Sequence, residues 1–133
     1  MKKILVIDDE EDLRIIFSEL FKDEDLDVTV ASNGIEGLEC AMGGAYDLIL
    51  SDIKMPKLDG IDMLKKMIEQ VDNMPEFVFI SGGINVNFSE LYREFPQIKH
   101  IFAKPFDEDH VVDVCVKILN GNFESPERKK AVG

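Results

Sequence analysis

Residues 47–60 read Asp47-Leu-Ile-Leu-Ser-Asp52-Ile-Lys-Met-Pro56-Lys-Leu-Asp59-Gly60. A short apolar run bounded by turn residues predicts a buried strand, and the Met-Pro and Asp-Gly pairs after it predict a loop. Asp52 is therefore expected at the end of the strand, on the rim of the core. A single aspartate in such a place more often caps a turn or a helix, so its role depends on what the other strands bring to the same rim.

The composition indicates one acidic domain. The chain has 133 residues, of which 45% are apolar and 32% charged, and this suits a single globular domain with a buried core. Lys and Arg number 15 against 27 Asp and Glu, so the net charge is -12. Such a charge repels nucleic-acid phosphates and anionic membranes and attracts cations. We therefore expect no direct binding of nucleic acid or membrane.

The cysteines and the N-terminus are typical of a cytoplasmic protein. Cys40 and Cys115 lie far apart without a C-x-x-C pair or Cys/His cluster, so we expect reduced, half-buried thiols. Only Ile4 to Ile7 separate Met-Lys-Lys from the acidic residues 8–12, and this run is too short for a signal peptide or a membrane span.

Strand patterns alternate with helix patterns along the chain. The apolar runs that predict strands cover residues 4–7, 26–31, 47–52, 77–80 and about 99–103. The expected helix faces comprise Leu13, Ile16, Phe17, Leu20 and Phe21; Ile35, Leu38, Ala41 and Met42; Ile61, Leu64, Ile68 and Val71; Phe88, Leu91, Tyr92 and Phe95; and, after Asp107 as N-cap, Val111, Cys115, Ile118 and Leu119. Five such pairs predict an α/β fold, a parallel sheet with helices on both faces.

Two parts of the chain carry no predicted chemistry. The domain is expected to span residues 1–121, and the polar, proline-containing residues 122–133 are expected to form a tail or the stub of a linker. His100 and His110 lack the helical context of a phosphotransfer histidine, so we expect surface or capping positions for both.

Polar side chains follow four of the five predicted strands. Asp8 and Asp9 follow the first strand, Asp52 ends the third, Ser81 follows the fourth and Lys104 follows the fifth. Each alone could cap a turn or face solvent, but ligands of open α/β sheets bind outside the carboxyl ends of the strands. Clustered carboxylates resist ionisation unless a hard divalent cation lies among them. Together these residues predict a Mg²⁺ site, with Mn²⁺ as an alternative, that leaves room for a phosphoryl group.

Four motifs resemble those of response-regulator receiver domains, over nearly the whole chain from about Lys2 to Leu119. They are Asp8-Asp9-Glu10, Asp52 before Met55-Pro56 and Asp59-Gly60, Ser81-Gly82, and Lys104-Pro105-Phe106, each at the expected strand end. The resemblance implies a flavodoxin-like, doubly wound (βα)5 fold with strand order 2-1-3-4-5. It also implies a cis peptide bond between Lys104 and Pro105.

The resemblance implies roles for the acidic residues. Asp52 would be the phosphoacceptor, taking a phosphoryl group from a sensor histidine kinase, a histidine phosphotransfer protein or a small donor. Asp9, Asp52 and the backbone carbonyl of Lys54 would bind Mg²⁺ directly, and Asp8 would act through water. The protein would be a signalling switch rather than an enzyme, catalysing only its own phosphorylation and autodephosphorylation.

The resemblance also implies how the switch works. Lys104 would neutralise charge on the phosphoryl group, and Ser81 would bond one of its oxygens. This bond would shift the face formed by the fourth helix, fifth strand and fifth helix, which would bind an unknown downstream protein or a second copy of the chain.

Three further positions bear on function. Ile101 stands three residues before Lys104, where many receivers have Tyr or Phe. One hypothesis is that Ile101 packs inward permanently and that the loop from Ser81 to Asn87 carries the signal. Lys54 and Gly83 would flank the path of the water that hydrolyses the acyl phosphate.

The first interpretation is a stand-alone receiver, and three alternatives stay open. The chain could be a receiver excised from a longer regulator with an output domain. A phosphorylation-independent adaptor of the same fold would be expected to lack part of the acidic cluster, the hydroxyl or the lysine. An aspartyl-phosphate hydrolase usually needs a second Asp two residues after the nucleophile, where this chain has Lys54.

Overall fold

The computed structural model describes residues 1–83 and 85–133, and strands and helices alternate along that part of the chain. The elements are β1 (Lys3–Ile7), α1 (Glu11–Lys22), β2 (Asp27–Ala31), α2 (Gly34–Gly43), β3 (Leu48–Asp52), α3 (Gly60–Gln70), β4 (Glu76–Ser81), α4 (Phe88–Glu94), β5 (Ile98–Ala103), α5 (Glu108–Leu119) and α6 (Pro126–Val132). The five predicted strands and the five predicted helices are confirmed, and α6 is additional.

The strands form one parallel sheet in the order β2-β1-β3-β4-β5, as the resemblance implied. Ile7 pairs with Ser51 across β1 and β3, and Asp52 pairs with Ile80 across β3 and β4. Ser81 in turn pairs with Ala103 of β5. The central strands therefore end nearly level, and the residues that follow them share one edge of the sheet.

Each face of the sheet is covered by helices. Side chains alternate along a strand, so Ile4 and Val6 of β1 pack with α1 and α5, whereas Leu5 and Ile7 pack on the opposite face, with α2 and α3. Because both faces are buried, the central strands are apolar almost throughout. Each fully buried Leu or Ile contributes about 1.5–3 kcal/mol to stability before the entropy of ordering is counted.

The buried face of α3 differs from the prediction. Met63, Leu64 and Met67 are buried, whereas Ile68 is 41% exposed. The reason is a close approach at the start of the helix, where a Cβ on Gly60 would lie 2.5 Å from the carbonyl oxygen of Asp52. Gly60 thus turns toward the sheet, and the residues one and two turns after it follow to the same side.

Side-chain caps begin several helices directly after the carboxyl-edge loops. Asp59 accepts a hydrogen bond from the Asp62 N–H at 2.8 Å, and Asp107 accepts one from the Asp109 N–H at 2.9 Å. The predicted N-cap at Asp107 is confirmed. The caps satisfy N–H groups in the first turns of α3 and α5, and they fix the residues at which the loops end and these helices begin.

The C-terminal residues differ from the expected tail. Residues 126–132 form α6, which packs against α4 and β5. His100 is also not a surface residue, since it is 9% exposed and its Nδ1 lies 2.7 Å from Ser125 Oγ. His110 is exposed, as expected. The domain boundary at residue 121 stays a prediction.

Both cysteines are free, and their burial differs. Cys40 is partly buried, as expected, whereas Cys115 is fully buried in the core between α5 and the sheet. Burial raises the pKa of the Cys115 thiol far above its ordinary value. Within the described ranges, no helix is both long enough and apolar enough to cross a membrane.

Candidate functional site

Three aspartates meet at the carboxyl edge of the sheet. Asp8 and Asp9 follow β1, and Asp52 is the last residue of β3. One carboxylate oxygen from each lies within 4.8 Å of the other two. Asp8 is 2% exposed and Asp52 is 4% exposed, whereas Asp9 faces solvent. The predicted convergence of these three residues is confirmed.

The turn that carries Asp8 is held by hydrogen bonds on three sides. The Asp8 N–H donates to the carbonyl of Ala31 at 3.1 Å, and its carboxylate accepts from the Glu10 N–H at 2.8 Å. The guanidinium of Arg14 donates to the Asp8 carbonyl at 2.8 Å. Arg14 was not among the predicted site residues, although a cation close behind an acidic turn was a signal that could have suggested it.

Lys104 lies beside Asp52. Its Nζ is 3.4 Å from Asp52 Oδ1, with the lysine side chain 35% exposed. The Lys104 N–H donates to the carbonyl of Ser81 at 2.9 Å, which ties the ends of β5 and β4 together. The peptide bond between Lys104 and Pro105 is cis, as the resemblance implied.

The environment of the acidic cluster disfavours the ionised forms of Asp8 and Asp52. Burial, reinforced by the charge of Asp8, raises the pKa of Asp52 to about 7, and the neighbouring Lys104 only partly opposes this. Burial also raises the pKa of Asp8, with the Glu10 N–H bond acting against it. Below about pH 7 the cluster therefore retains a proton that a bound cation would displace.

Ser81 ends β4 next to this cluster. Its side chain is nearly buried, and its Oγ accepts a hydrogen bond from the Gly83 N–H at 3.2 Å. A Cβ on Gly82 would lie 3.1 Å from Cδ of Lys104, so the loop passes close along the lysine stem. The hydroxyl and the ammonium thus belong to one connected loop region.

The structure tests the predictions for Lys54, Ile101 and the loop from Ser81 to Asn87 only in part. Lys54 follows Asp52 by two residues with its side chain exposed, and the role of its carbonyl stays a prediction. Ile101 is 4% exposed, in agreement with inward packing in this state. The predicted signal loop from Ser81 to Asn87 contains Ile84, which lies outside the described residues.

The donor set fits a hard divalent cation. Carboxylate oxygens are the ligands that Mg²⁺ and Mn²⁺ prefer, and Mg²⁺ is commonly held by one or two carboxylates together with water and phosphate oxygens. Asp9 is accessible from solvent, while the buried Asp8 and Asp52 have raised pKa values that a nearby positive charge would lower. The site is therefore suited to bind the ion beside Asp52.

A sheet of this order, with acidic, hydroxyl and lysine groups at its carboxyl edge, defines the receiver-like class of flavodoxin-like domains. The chain belongs to the response regulator receiver domain family, whose model matches residues 4–115. The resemblance in the four strand-end motifs is thereby confirmed.

Curated relatives and solved structures agree with this assignment. Sporulation initiation phosphotransferase F of Bacillus subtilis (strain 168) is 34% identical over 118 residues, covering 89% of this chain and 94% of that protein. The transcriptional regulatory protein CpxR of Escherichia coli (strain K12) is 36% identical over 132 residues, covering 97% of this chain and 54% of that protein. The chain thus spans about half the length of the second relative.

Among solved structures, the response regulator protein TrrA from Thermotoga maritima in complex with Mg(2+)-BeF matches with a TM-score of 0.70 and 27% identity, covering 90% of this chain and 99% of that one. The Francisella response regulator 1452 receiver domain matches with a TM-score of 0.77 and 29% identity, covering 91% of this chain and 98% of that one.

Proposed function

We propose that this protein is a phosphorylation-controlled switch of a two-component or phosphorelay pathway, with Asp52 as the phosphoacceptor. The observation that carries the proposal is a buried carboxylate with a lysine ammonium 3.4 Å away and two further carboxylates within 4.8 Å. The donor would be a phosphohistidine of a sensor histidine kinase or histidine phosphotransfer protein, met in the cytoplasm.

The chemistry requires Asp52 in its ionised form. An oxygen of Asp52 attacks phosphorus, the bond from phosphorus to the donor nitrogen breaks, and the donor imidazole keeps that electron pair. Mg²⁺ held by Asp9, Asp52 and the Lys54 carbonyl, with Asp8 acting through water, would neutralise charge on the phosphoryl oxygens. Lys104 contributes a second positive charge from within the protein.

The response would spread through Ser81. Its hydroxyl, now bonded by the Gly83 N–H, would turn to a phosphoryl oxygen and draw the loop after β4 with it. The face formed by α4, β5 and α5 would change as a result and bind a downstream protein or a second copy of the chain. Hydrolysis of the acyl phosphate by water would end the signal.

Intact mass after incubation with acetyl phosphate and Mg²⁺ tests the proposal. We expect one phosphoryl adduct in the native protein, and none in an Asp52→Asn variant or in the presence of a chelator. An adduct that persists in Asp52→Asn would place the acceptor elsewhere. The absence of an adduct with acetyl phosphate and with other small phosphodonors would favour the phosphorylation-independent adaptor.

The lifetime of the adduct is expected to depend on Gly83. A Cβ at Gly83 would lie 3.2 Å from a methyl group of Val86 and 3.6 Å from Ser81 Oγ, so a large side chain there crowds the approach to the site. We predict that Gly83→Tyr lengthens the lifetime about tenfold by obstructing water, an effect of roughly 1.4 kcal/mol on the barrier. Loss of adduct mass with time after removal of the donor measures this, and an unchanged lifetime would contradict it.

A further inference from the structure

The C-terminal residues cross the outer edge of β5. Phe123 packs against the core on the α1 and α5 side of the sheet, whereas Ala131 packs against the core on the α4 side. We call residues 123–132 the C-terminal strap. Since β5 is the last strand of the sheet, the strap lies over α4 and β5, and only Phe123 reaches the side of the sheet that carries α5.

Arg128 fastens the strap to two elements at once. Its guanidinium donates to the carbonyl oxygens of Tyr92 at 2.9 Å, Phe95 at 3.2 Å and Ile98 at 3.0 Å. The first two carbonyls belong to the C-terminal end of α4, where a cation is favourable, and the third begins β5. The three bonds form together only while α4 and β5 keep their present relative position.

A buried polar network completes the connection. Ser125 Oγ is 2.7 Å from His100 Nδ1 and 3.5 Å from the hydroxyl of Tyr92. That hydroxyl also accepts a hydrogen bond from the Ile101 N–H at 2.8 Å. Ile101 is three residues before Lys104, so the network joins the strap to the strand that directly precedes the site lysine.

We propose that the C-terminal strap is an intramolecular cover of the α4 and β5 part of the face formed by α4, β5 and α5, and that its docking and the phosphorylation of Asp52 oppose each other. The inference rests on the proposed function, in which phosphorylation changes this face. Directional hydrogen bonds to carbonyls of both α4 and β5 are lost when these elements shift relative to each other. Coupling of this kind is reciprocal, so release of the strap must also favour phosphorylation.

A partner that approaches this face would consequently contact the strap before it could contact α4 and β5. Tyr92 lies buried between the core and the strap, and Arg128 lies over its ring with 5.8 Å between the guanidinium carbon and the ring centroid. A second copy of the chain could use this face only after the strap has left it. The strap thereby makes dimerisation through this face dependent on its release.

Hydrogen exchange followed by mass spectrometry tests the inference, with beryllium fluoride and Mg²⁺ as the phosphoryl mimic. We expect the amides of residues 127–132 to exchange slowly in the metal-free protein and at least about fivefold faster at saturation. Arg128→Ala is expected to exchange fast in both conditions and to bind beryllium fluoride about fivefold more tightly. Lys130→Ala, which removes the same charge from an exposed position on α6, should behave like the native protein.

Tyr92→Phe is a second variant that keeps the ring and removes only the hydroxyl, and it should shift both readouts in the same direction as Arg128→Ala. Fluorine NMR reports bound beryllium fluoride independently of the exchange data. Binding without faster exchange in the strap, or equal affinity in all variants, would overturn the inference and leave the proposed function intact. Failure of the native protein to bind the mimic would overturn the proposed function and this inference with it.

Discussion

Asp52→Asn is expected to stabilise the metal-free protein, and the gain should increase with pH. A carboxyl whose pKa is raised from 3.8 to about 7 binds its proton more tightly in the folded chain than in the unfolded chain. Its contribution to stability is complete below about pH 4 and is lost as the pH rises through about 7. Asparagine cannot ionise, so the variant avoids that loss. At 1.36 kcal/mol per pKa unit, we expect the advantage of the variant to grow by on the order of 2 kcal/mol between about pH 5 and pH 8.

Urea unfolding of both proteins at the two pH values, in the presence of chelator, measures this. Asp72→Asn removes an exposed carboxylate and serves as the matched control, with an expected effect that is small and nearly independent of pH. Saturating Mg²⁺ should stabilise the native protein more than the variant, because only the native protein has the Asp52 carboxylate, whose negative charge the ion neutralises. A difference between native protein and variant that stays constant with pH would mean that Asp52 is not the residue that holds the proton.

Lys104→Met is expected to slow phosphorylation by about 10²-fold while Mg²⁺ still binds. Removal of a charged group aimed at a transferring phosphoryl group costs about that much in comparable sites. The lysine ammonium is 3.4 Å from Asp52 Oδ1, and its charge lowers the pKa of that carboxyl. Its loss therefore also leaves Asp52 more fully protonated at a given pH, so the rate deficit should narrow when the pH is raised.

The rate at which the adduct appears, followed by intact mass at saturating Mg²⁺ and fixed acetyl phosphate, measures this effect. Lys65→Met, on the exposed surface of α3, controls for the loss of one positive charge from the chain. Equal rates for Lys104→Met and the control would remove Lys104 from the phosphoryl-transfer step.

The parallel sheet and the meeting of Asp8, Asp9 and Asp52 followed from periodicity and chain direction, whereas the strand order was implied by the resemblance to receiver domains. A parallel sheet brings the carboxyl ends of its strands to one edge whatever the packing details. The rotation of α3 did not follow, since it is set by the close approach of Gly60 to a backbone carbonyl rather than by the positions of apolar residues. Ile68, an apolar residue at helical spacing, is therefore exposed.

The protonation of the site residues was also less predictable than their identity. Repulsion among clustered carboxylates was expected, but the rise in the pKa of Asp52 depends mainly on how deeply the side chain is buried, which spacing does not show. The docking of α6 was missed because Arg128 binds backbone carbonyls, and these carry no signature in the sequence of α4 or β5. The burial of His100 has the same origin, since Ser125 from that segment lies against it.

The position of the strap also affects how far the edge strand β5 is exposed to other molecules. β5 forms an outer margin of the sheet, and an unprotected margin of this kind can pair with an extended segment of another molecule. Here the Ile101 N–H is already bonded to the hydroxyl of Tyr92, and the ring of Phe123 lies 5.3 Å from that of His100. Tyr92 of α4 and Phe123 of the strap therefore occupy part of this margin, and we expect conditions that loosen the strap to promote self-association while the core stays folded.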